Sequence, residues 1–290
     1  MQSALRRLLL AALPACALLV ACRGGSVPNQ VLTKPVAVSA PAPAARTSGP
    51  WLYRSSAQRQ AFVVDLRALV AIRIDTSTRT DTVSSHAELS FTAAPSSGGV
   101  SGSVTAFLVQ GEGRAAATPA GLATPFPLRA QYAERGSQLV FTVPRDAAPC
   151  ASSALAVAQS LRDVWFWPPD TLRIGTAWQD SSSYVVCRDA IPLHASVRRT
   201  FTVTGATAGD SRLLLTVSRI SHTTIEGSGA QFGEAVGVSG TGSGQLLYSL
   251  DPTSGEVLSA TGSATLALSL RSRLRSQEVR QTIEIRIGRG

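Results

Sequence analysis

The sequence is poor in the side chains that carry out most enzyme chemistry. It contains one lysine, Lys34, and three histidines, His86, His194 and His222. The absence of lysine after residue 34 excludes a Walker-type phosphate-binding lysine and a Schiff-base lysine from that part of the chain. No Gly-x-Ser-x-Gly motif occurs, and no histidine lies beside a second ligand at metal-binding spacing. We therefore expect no enzyme activity, no catalytic residue, no metal site and no cofactor.

The N-terminus has the pattern of an export signal. Arg6 and Arg7 precede an uncharged run from Leu8 to Ala21. This run is shorter than the roughly 20 apolar residues that cross a bilayer as a helix. We therefore predict that residues 1–21 are a removable signal peptide.

The predicted signal ends in Leu19-Val20-Ala21-Cys22, which resembles the lipobox of bacterial lipoproteins. In such proteins the cysteine sulfur receives a diacylglyceryl group, the signal is cleaved just before it, and the new amino group is acylated. The resemblance thus implies lipid attachment at Cys22 and anchoring to a membrane; the alternative is an ordinary signal with a chance cysteine. By the sorting rule of enteric bacteria, Arg23 implies transfer to the outer membrane, facing the periplasm.

Residues 22–50 differ in composition from the rest of the chain. Five prolines lie among alanine, serine, glycine and valine, with almost no aromatic residue. Such a segment cannot form a core, and its prolines favour extended polyproline II. We predict a tether between the lipidated cysteine and a folded domain.

The net charge and the length limit which kinds of protein the mature chain can be. Removal of the signal leaves 269 of 290 residues and lowers the net charge from +9 to +7, since Arg6 and Arg7 are its only charges. The basic residues are scattered among acids, which does not suit nucleic acid as a partner. The apolar content, 44% of the chain, is sufficient for one large core.

From Trp51 onward apolar and polar residues alternate, which is typical of half-buried β-strands. Every second residue from Phe62 to Ile74 is apolar, while Asp65, Arg67 and Arg73 fall on the other face. We interpret the glycine-rich stretches 227–233 and 237–244 as flexible or bulged strand connections. Similar alternation predicts further strands near residues 83–91, 100–109, 126–132, 138–143, 184–187, 197–204, 213–220, 245–250, 258–270 and 279–287.

One segment has helical periodicity. Between Ser152 and Trp167 the apolar residues recur at intervals of three and four, and Pro168-Pro169 ends the pattern. We therefore predict a mainly β, α+β domain over residues 51–290, in which a long antiparallel curved sheet or half-barrel wraps one central helix.

This arrangement resembles the half-barrel of the periplasmic lipoprotein carriers. More closely, it resembles a group of bacterial lipoproteins of uncharacterised role that carry a Pro-flanked helix, a Gly-x-x-Trp element and an Asp-x-x-Ser/Thr-Gly hairpin. Here these are Pro168-Pro169, Gly175 to Trp178 and Asp251 to Gly255. The resemblance implies binding of a lipid or other hydrophobic ligand, and it carries over no catalytic residue.

Two cysteines remain in the mature domain, Cys150 and Cys187. Two cysteines in an exported protein usually pair, and a bridge would hold the predicted helix to the following strand. Closing a loop of this size stabilises the fold by about 3 to 4 kcal/mol. The alternatives are two free buried thiols or a redox site, although the Cys-x-x-Cys spacing is missing.

Trp165, Phe166 and Trp167 are the candidate ligand-binding residues. They could line the mouth of an apolar cavity, or they could seal the helix against the sheet.

The sequence leads to two hypotheses about function. The first is a lipid-anchored protein that binds a lipid or hydrophobic ligand. The second is a non-enzymatic module that binds an envelope protein or cell-wall component.

Overall fold

The computed structural model describes residues 49–94, 96–118, 123–142, 161–188, 191–208, 212–231, 233–273 and 275–290. The predicted signal peptide, Cys22, Cys150 and nearly all of the tether lie outside these residues. No helix in the described ranges is both long and apolar enough to cross a membrane. The strands are β1 Trp51–Leu52, β2 Arg59–Ile74, β3 Ser77–Ala94, β4 Gly99–Gly111, β5 Phe126–Tyr132, β6 Gln138–Thr142, β7 Thr171–Leu172, β8 Ala177–Arg188, β9 Ile191–Ala208, β10 Leu213–Gln231, β11 Glu234–Asp251, β12 Glu256–Ser272 and β13 Ser276–Arg289.

Eleven strands form a closed barrel in the order β10-β11-β12-β13-β2-β3-β4-β5-β6-β8-β9. The predicted half-barrel is therefore wrong, although the mainly β class is confirmed. The sheet closes where β6 pairs with β8 in parallel, through Gln138 with Ser181 and Leu139 with Ser182. The other neighbouring strands pair antiparallel, as predicted.

The alternation of apolar residues sets which face of each strand points inward. In β2, Phe62, Val64, Ala68, Val70 and Ile72 are buried, and the intervening charged residues are exposed. Successive side chains of a strand point to opposite faces, so a polar residue at every second position leaves one apolar face for the core.

The interpretation of the glycine-rich stretches as flexible connections is wrong for most of their length. β10 and β11 form one long hairpin, paired from Leu215 with Leu250 to Gln231 with Glu234. Glycine is needed inside this hairpin because neighbouring backbones approach closely. A Cβ atom on Gly240, for example, would lie 2.6 Å from the carbonyl oxygen of Ala267.

The predicted central helix is not supported by the described residues. Residues 152–160 lie outside them, and of the remainder only Leu161 and Arg162 are helical, followed by a turn at residues 163–164 and irregular chain through Trp167. A local feature disfavours helix at this end. Trp167 precedes Pro168, and the proline ring disfavours helical backbone in the residue before it.

Two apolar clusters fill opposite ends of the barrel. At one end the short strands β1 and β7 pair with each other, and this end is here called the strap end. Tyr53 and Leu172 belong to its apolar cluster, which also includes Phe91, Phe201 and Leu250. The cluster at the other end, here called the hairpin end, consists of Ala68, Val70, Ile72, Ile191, Leu193, Ala195, Ile225, Val236, Val238, Leu268, Leu270 and Val279.

Candidate ligand site inside the barrel

The segment Leu161–Trp167 lies inside the barrel and packs on the cluster of the strap end. Leu161, Val164, Trp165 and Phe166 are each at most 3% exposed. Phe166 is central, because its ring lies 5.0 Å from that of Phe201 and 5.2 Å from that of Tyr248. Burial of large aromatic side chains holds this segment against the inner wall.

The three candidate aromatic residues occupy different places in this packing. Trp165 meets the ring of Phe91 edge to face at 5.8 Å, and Phe166 packs among the aromatic rings of the strap end. Trp167 is half-buried, and the guanidinium group of Arg135 lies 4.9 Å from its ring centre. None of the three lines the internal cavity of the barrel. Trp165 and Phe166 thus pack against other aromatic rings, and the ligand-binding role of the three residues stays a prediction.

The inner segment also carries a buried carboxylate, Asp163, which is 0% exposed. Arg219 donates to its Oδ1 atom at 2.5 Å, and Arg162 donates from Nη2 to its Oδ2 atom at 2.9 Å. Its backbone carbonyl oxygen accepts a hydrogen bond from the hydroxyl of Tyr248 at 2.9 Å. Burial alone would raise the pKa of Asp163, but the charges and hydrogen bonds of the two arginines outweigh it and hold that pKa well below its usual range.

A second buried pair lies beside the first. Arg199, 0% exposed, binds both carboxylate oxygens of Asp180 at 2.6 Å. Tyr132 accepts a hydrogen bond from Arg199 at 2.8 Å and donates one to Asp180 at 2.6 Å. Arg199 also donates to the backbone carbonyl of Arg162 and so ties this pair to the inner segment. Burial raises the pKa of Tyr132 well above its ordinary value and that of Tyr248 to about 12, so both remain protonated.

These five charged residues, Arg162, Asp163, Asp180, Arg199 and Arg219, are here called the ionic layer. Three positive charges face two negative charges, so the layer keeps one positive charge that no acid within it balances. Arg219 is only 2% exposed, and its Nε atom has no hydrogen-bond partner among the residues that the structure describes. A buried donor without a partner costs about 1 to 3 kcal/mol, so an acceptor that reached this group would stabilise the layer.

A cavity of about 150 Å³ lies on the side of the ionic layer that faces the hairpin end. Arg162 and Arg219 form its charged wall. Apolar side chains of the hairpin-end cluster, among them Leu193, Ile225 and Leu268, form much of the rest. A cavity that is apolar on one side and cationic on the other can bind an amphiphilic molecule of small size.

Small residues in register make the room for this cavity. Ser221 pairs with Gly244, which pairs with Ala264; Ala264 pairs with Ile283, and Ile283 pairs with Ala68. Directly paired residues point to the same face of a sheet. Four small residues at one level of the barrel therefore leave space that larger side chains would fill.

Sequence reasoning missed the ionic layer, although a signal was present. Arg199 interrupts the inward row Ala195, Val197, Phe201 and Val203 of β9, all of which are buried. An arginine at an inward position of an otherwise apolar row predicts a buried ion pair. What the row does not reveal is the partner, because that depends on which strands become neighbours in the barrel.

Only one of the two cysteines that are predicted to pair lies within the described residues. Cys187 lies in β8, is 4% exposed and is disulfide-bonded. Cys150 lies outside the described residues, so the pairing of Cys150 with Cys187 stays a prediction. Within the described ranges, no three His, Cys, Asp or Glu side chains are placed to hold a metal ion.

A second concave region lies on the outer surface, beside β2 and β3. His86 on β3 pairs directly with Asp65 on β2, with 2.7 Å between Nδ1 and Oδ1, and its Nε2 atom lies 3.4 Å from Glu88. The hydrogen bond to Asp65 raises the pKa of His86. These groups lie on a solvated face, since their side chains are 38 to 56% exposed.

No protein-family model matches this chain, and no curated protein shows significant similarity to it.

Proposed function

We propose that this protein is a lipid-anchored binding protein of the cell envelope that holds a small hydrophobic ligand inside its barrel. The cavity of about 150 Å³ between the ionic layer and the hairpin-end cluster carries this proposal. Its walls combine apolar side chains with a few polar groups, which is typical of ligand sites.

The volume limits the ligand. An engineered cavity of about 150 Å³ takes up benzene, and drug-sized ligands need roughly 300 to 1,000 Å³. A ligand of benzene size or a short acyl chain therefore matches the cavity. A complete diacyl lipid is too large for it, which narrows the lipid binding that the resemblance to lipoprotein carriers implies.

The location in the cell rests on the sequence. The Leu19-Val20-Ala21-Cys22 segment supports lipid attachment at Cys22, and Arg23 supports an outer-membrane position facing the periplasm. The proline-rich tether would let the barrel stand away from the membrane. Metabolic labelling with a radioactive or clickable fatty acid, compared between the natural chain and a Cys22→Ser variant, tests the anchor. Absence of label from the natural chain would refute it.

Ligand binding is tested on the mature chain from residue 22 with Cys22→Ser, exported behind a conventional signal peptide. Native mass spectrometry and solvent extraction reveal any co-purified molecule, and calorimetry with small aromatic and six-carbon compounds measures binding. We expect one molecule per barrel. A barrel that carries nothing and binds none of these compounds would contradict the proposal.

A matched pair of variants tests the location of the ligand. Ala264→Leu adds three carbon atoms to the cavity wall, whereas Ala267→Leu makes the same change on the exposed face of β12. We expect Ala264→Leu to abolish binding and Ala267→Leu to preserve it. Equal binding by the two variants would place the ligand elsewhere.

The alternative, a module that binds an envelope protein, finds no comparable support in the described residues. Of their exposed large apolar side chains, Ile220 and Leu247 are diagonal neighbours on the paired strands β10 and β11, whereas others, such as Leu69 on β2 and Val140 on β6, lie on strands apart from these. These positions do not define one apolar docking surface.

A further inference from the structure

We propose that the ligand is a small carboxylic acid, bound as its anion, with the carboxylate held by Arg219 and Arg162 and the hydrocarbon part directed toward the hairpin end. This inference rests on the proposed function, because it assigns the chemical class of the ligand in the same cavity. Three independent observations support it.

The first observation is the unsatisfied donor. Arg219 lines the cavity and is 2% exposed, and its buried Nε atom has no hydrogen-bond partner among the described residues. Guanidinium groups bind carboxylates through two parallel N–H donors. In the structure Arg219 contacts Asp163 through Nη1 alone. A carboxylate in the cavity could accept hydrogen bonds from the guanidinium group of Arg219, of which Asp163 takes up the Nη1 donor.

The second observation is the charge of the ionic layer. Asp180 is bound at both oxygens by Arg199, so that pair is neutral as a unit. Asp163 is shared between Arg162 and Arg219, so this second unit keeps one positive charge. Both of its arginines line the cavity. A buried charge is costly unless it is paired, and one anion would pair it.

The third observation is the arrangement of the remaining walls. Tyr184 also lines the cavity, and its oxygen accepts a hydrogen bond from Arg162 at 3.1 Å. Its hydroxyl hydrogen is then free to donate to an anion beside Arg162. Farther from the arginines the walls are mainly apolar, with Leu193, Ile225 and Leu268 in the hairpin-end cluster, although the buried Gln281 also lies in this lining. The cavity thus has one end suited to a carboxylate and one suited to a hydrocarbon.

The size of the cavity selects the probes. Hexanoate and benzoate have short hydrocarbon parts, and hexanamide and benzamide match them in shape without the charge. We expect the mature Cys22→Ser chain to bind each acid at least tenfold more tightly than its amide at pH 7. We also expect acid binding to weaken as the pH falls below about 4.5, where carboxylic acids take up a proton.

The substitution Arg219→Met tests whether Arg219 holds the carboxylate of the ligand. The substitution removes the unpaired donor and leaves two arginines facing two aspartates in the ionic layer, so we expect the barrel to fold. It should weaken binding of the acids at least tenfold and weaken binding of the amides much less, because a neutral amide loses a hydrogen bond to Arg219 but no charge pairing. Arg219→Lys keeps the charge and should recover part of the affinity. Arg280→Met, on the exposed face of β13, is the matched control and should bind like the parent chain.

The outcomes separate this inference from the proposed function. Amides that bind as tightly as acids in the parent chain would overturn the carboxylate assignment and leave the hydrophobic cavity in place. Acids and amides that both fail to bind, with no extracted ligand, would refute the proposed function itself. If Arg219→Met does not fold, the acid-to-amide ratio and the pH dependence of the parent chain decide.

Discussion

Arg199 and Asp180 offer a direct test of how the buried charges are held. Arg199 is completely buried, and its side chain makes hydrogen bonds to Asp180, to Tyr132 and to the backbone of the inner segment. Asp180→Ala removes the carboxylate and leaves the guanidinium charge inside the barrel with only neutral partners. The hydroxyl of Tyr132 loses an acceptor at the same time.

Removal of one partner of a buried ion pair costs about 3 to 5 kcal/mol. For a domain of this size, 1 kcal/mol corresponds to a change in Tm of roughly 2 to 4 °C. Asp180→Ala should therefore lower the free energy of unfolding by about 3 to 5 kcal/mol and the Tm by about 6 to 20 °C. The double variant Asp180→Ala/Arg199→Leu removes both charges, and we expect it to be more stable than Asp180→Ala alone.

Urea unfolding at pH 7, followed by tryptophan fluorescence and circular dichroism, measures these differences. The exposed pair Arg73 and Glu278 is the control, since its atoms lie 4.0 Å apart and its side chains are 63% and 47% exposed. Glu278→Ala should cost less than about 1 kcal/mol. An Asp180→Ala variant as stable as Glu278→Ala, or a double variant less stable than Asp180→Ala, would refute the reasoning.

Two further predictions concern the outer face and the sheet. NMR titration should give His86 a pKa above 6.5, and Asp65→Asn should lower that pKa. The raised pKa adds stability below pH 6.5, and this stability is lost as the pH rises through the folded-state pKa of His86. An unchanged pKa in the variant would exclude Asp65 as the cause. Gly262→Ala should destabilise the barrel by more than about 1 kcal/mol, because its Cβ would lie 1.9 Å from the carbonyl oxygen of Gln245. Gly237→Ala meets no atom within 4 Å and is the control; equal urea midpoints for the two variants would contradict the close approach.

Much of the strand pattern could be predicted from the residues alone. β5 spans Phe126–Tyr132, the range that the alternation predicts, and every second residue of it is buried. The turn at Asp251 was also predictable. Its Oδ1 atom accepts hydrogen bonds from the backbone of Thr253 at 2.8 Å and Ser254 at 3.3 Å, a local contact that Asp makes in turns.

The predicted helix illustrates how contacts with residues distant along the chain can override a local periodicity. The spacing of Leu161 and Trp165 is helical, and a backbone hydrogen bond of 3.0 Å does join the two residues. Beyond it, Pro168 restricts the chain and the packing of Phe166 against Phe201 and Tyr248 directs it along the barrel interior. A periodicity of three and four cannot include these distant contacts.

By itself the sequence determined where most strands lie, which of their faces points inward and the turn at Asp251, because these depend on neighbouring residues along the chain; it did not give the full length of β9, β10 and β11. The predictions of a signal peptide and of lipid at Cys22 also rest on the sequence alone, because the export machinery recognises such a segment before the protein folds. Only the tertiary structure decided that the sheet closes between β6 and β8, through two residue pairs. It alone brought Arg219 to Asp163, 56 residues away, and opened a cavity beside them. Contacts of this kind depend on which strands become neighbours, and no local pattern carries that information.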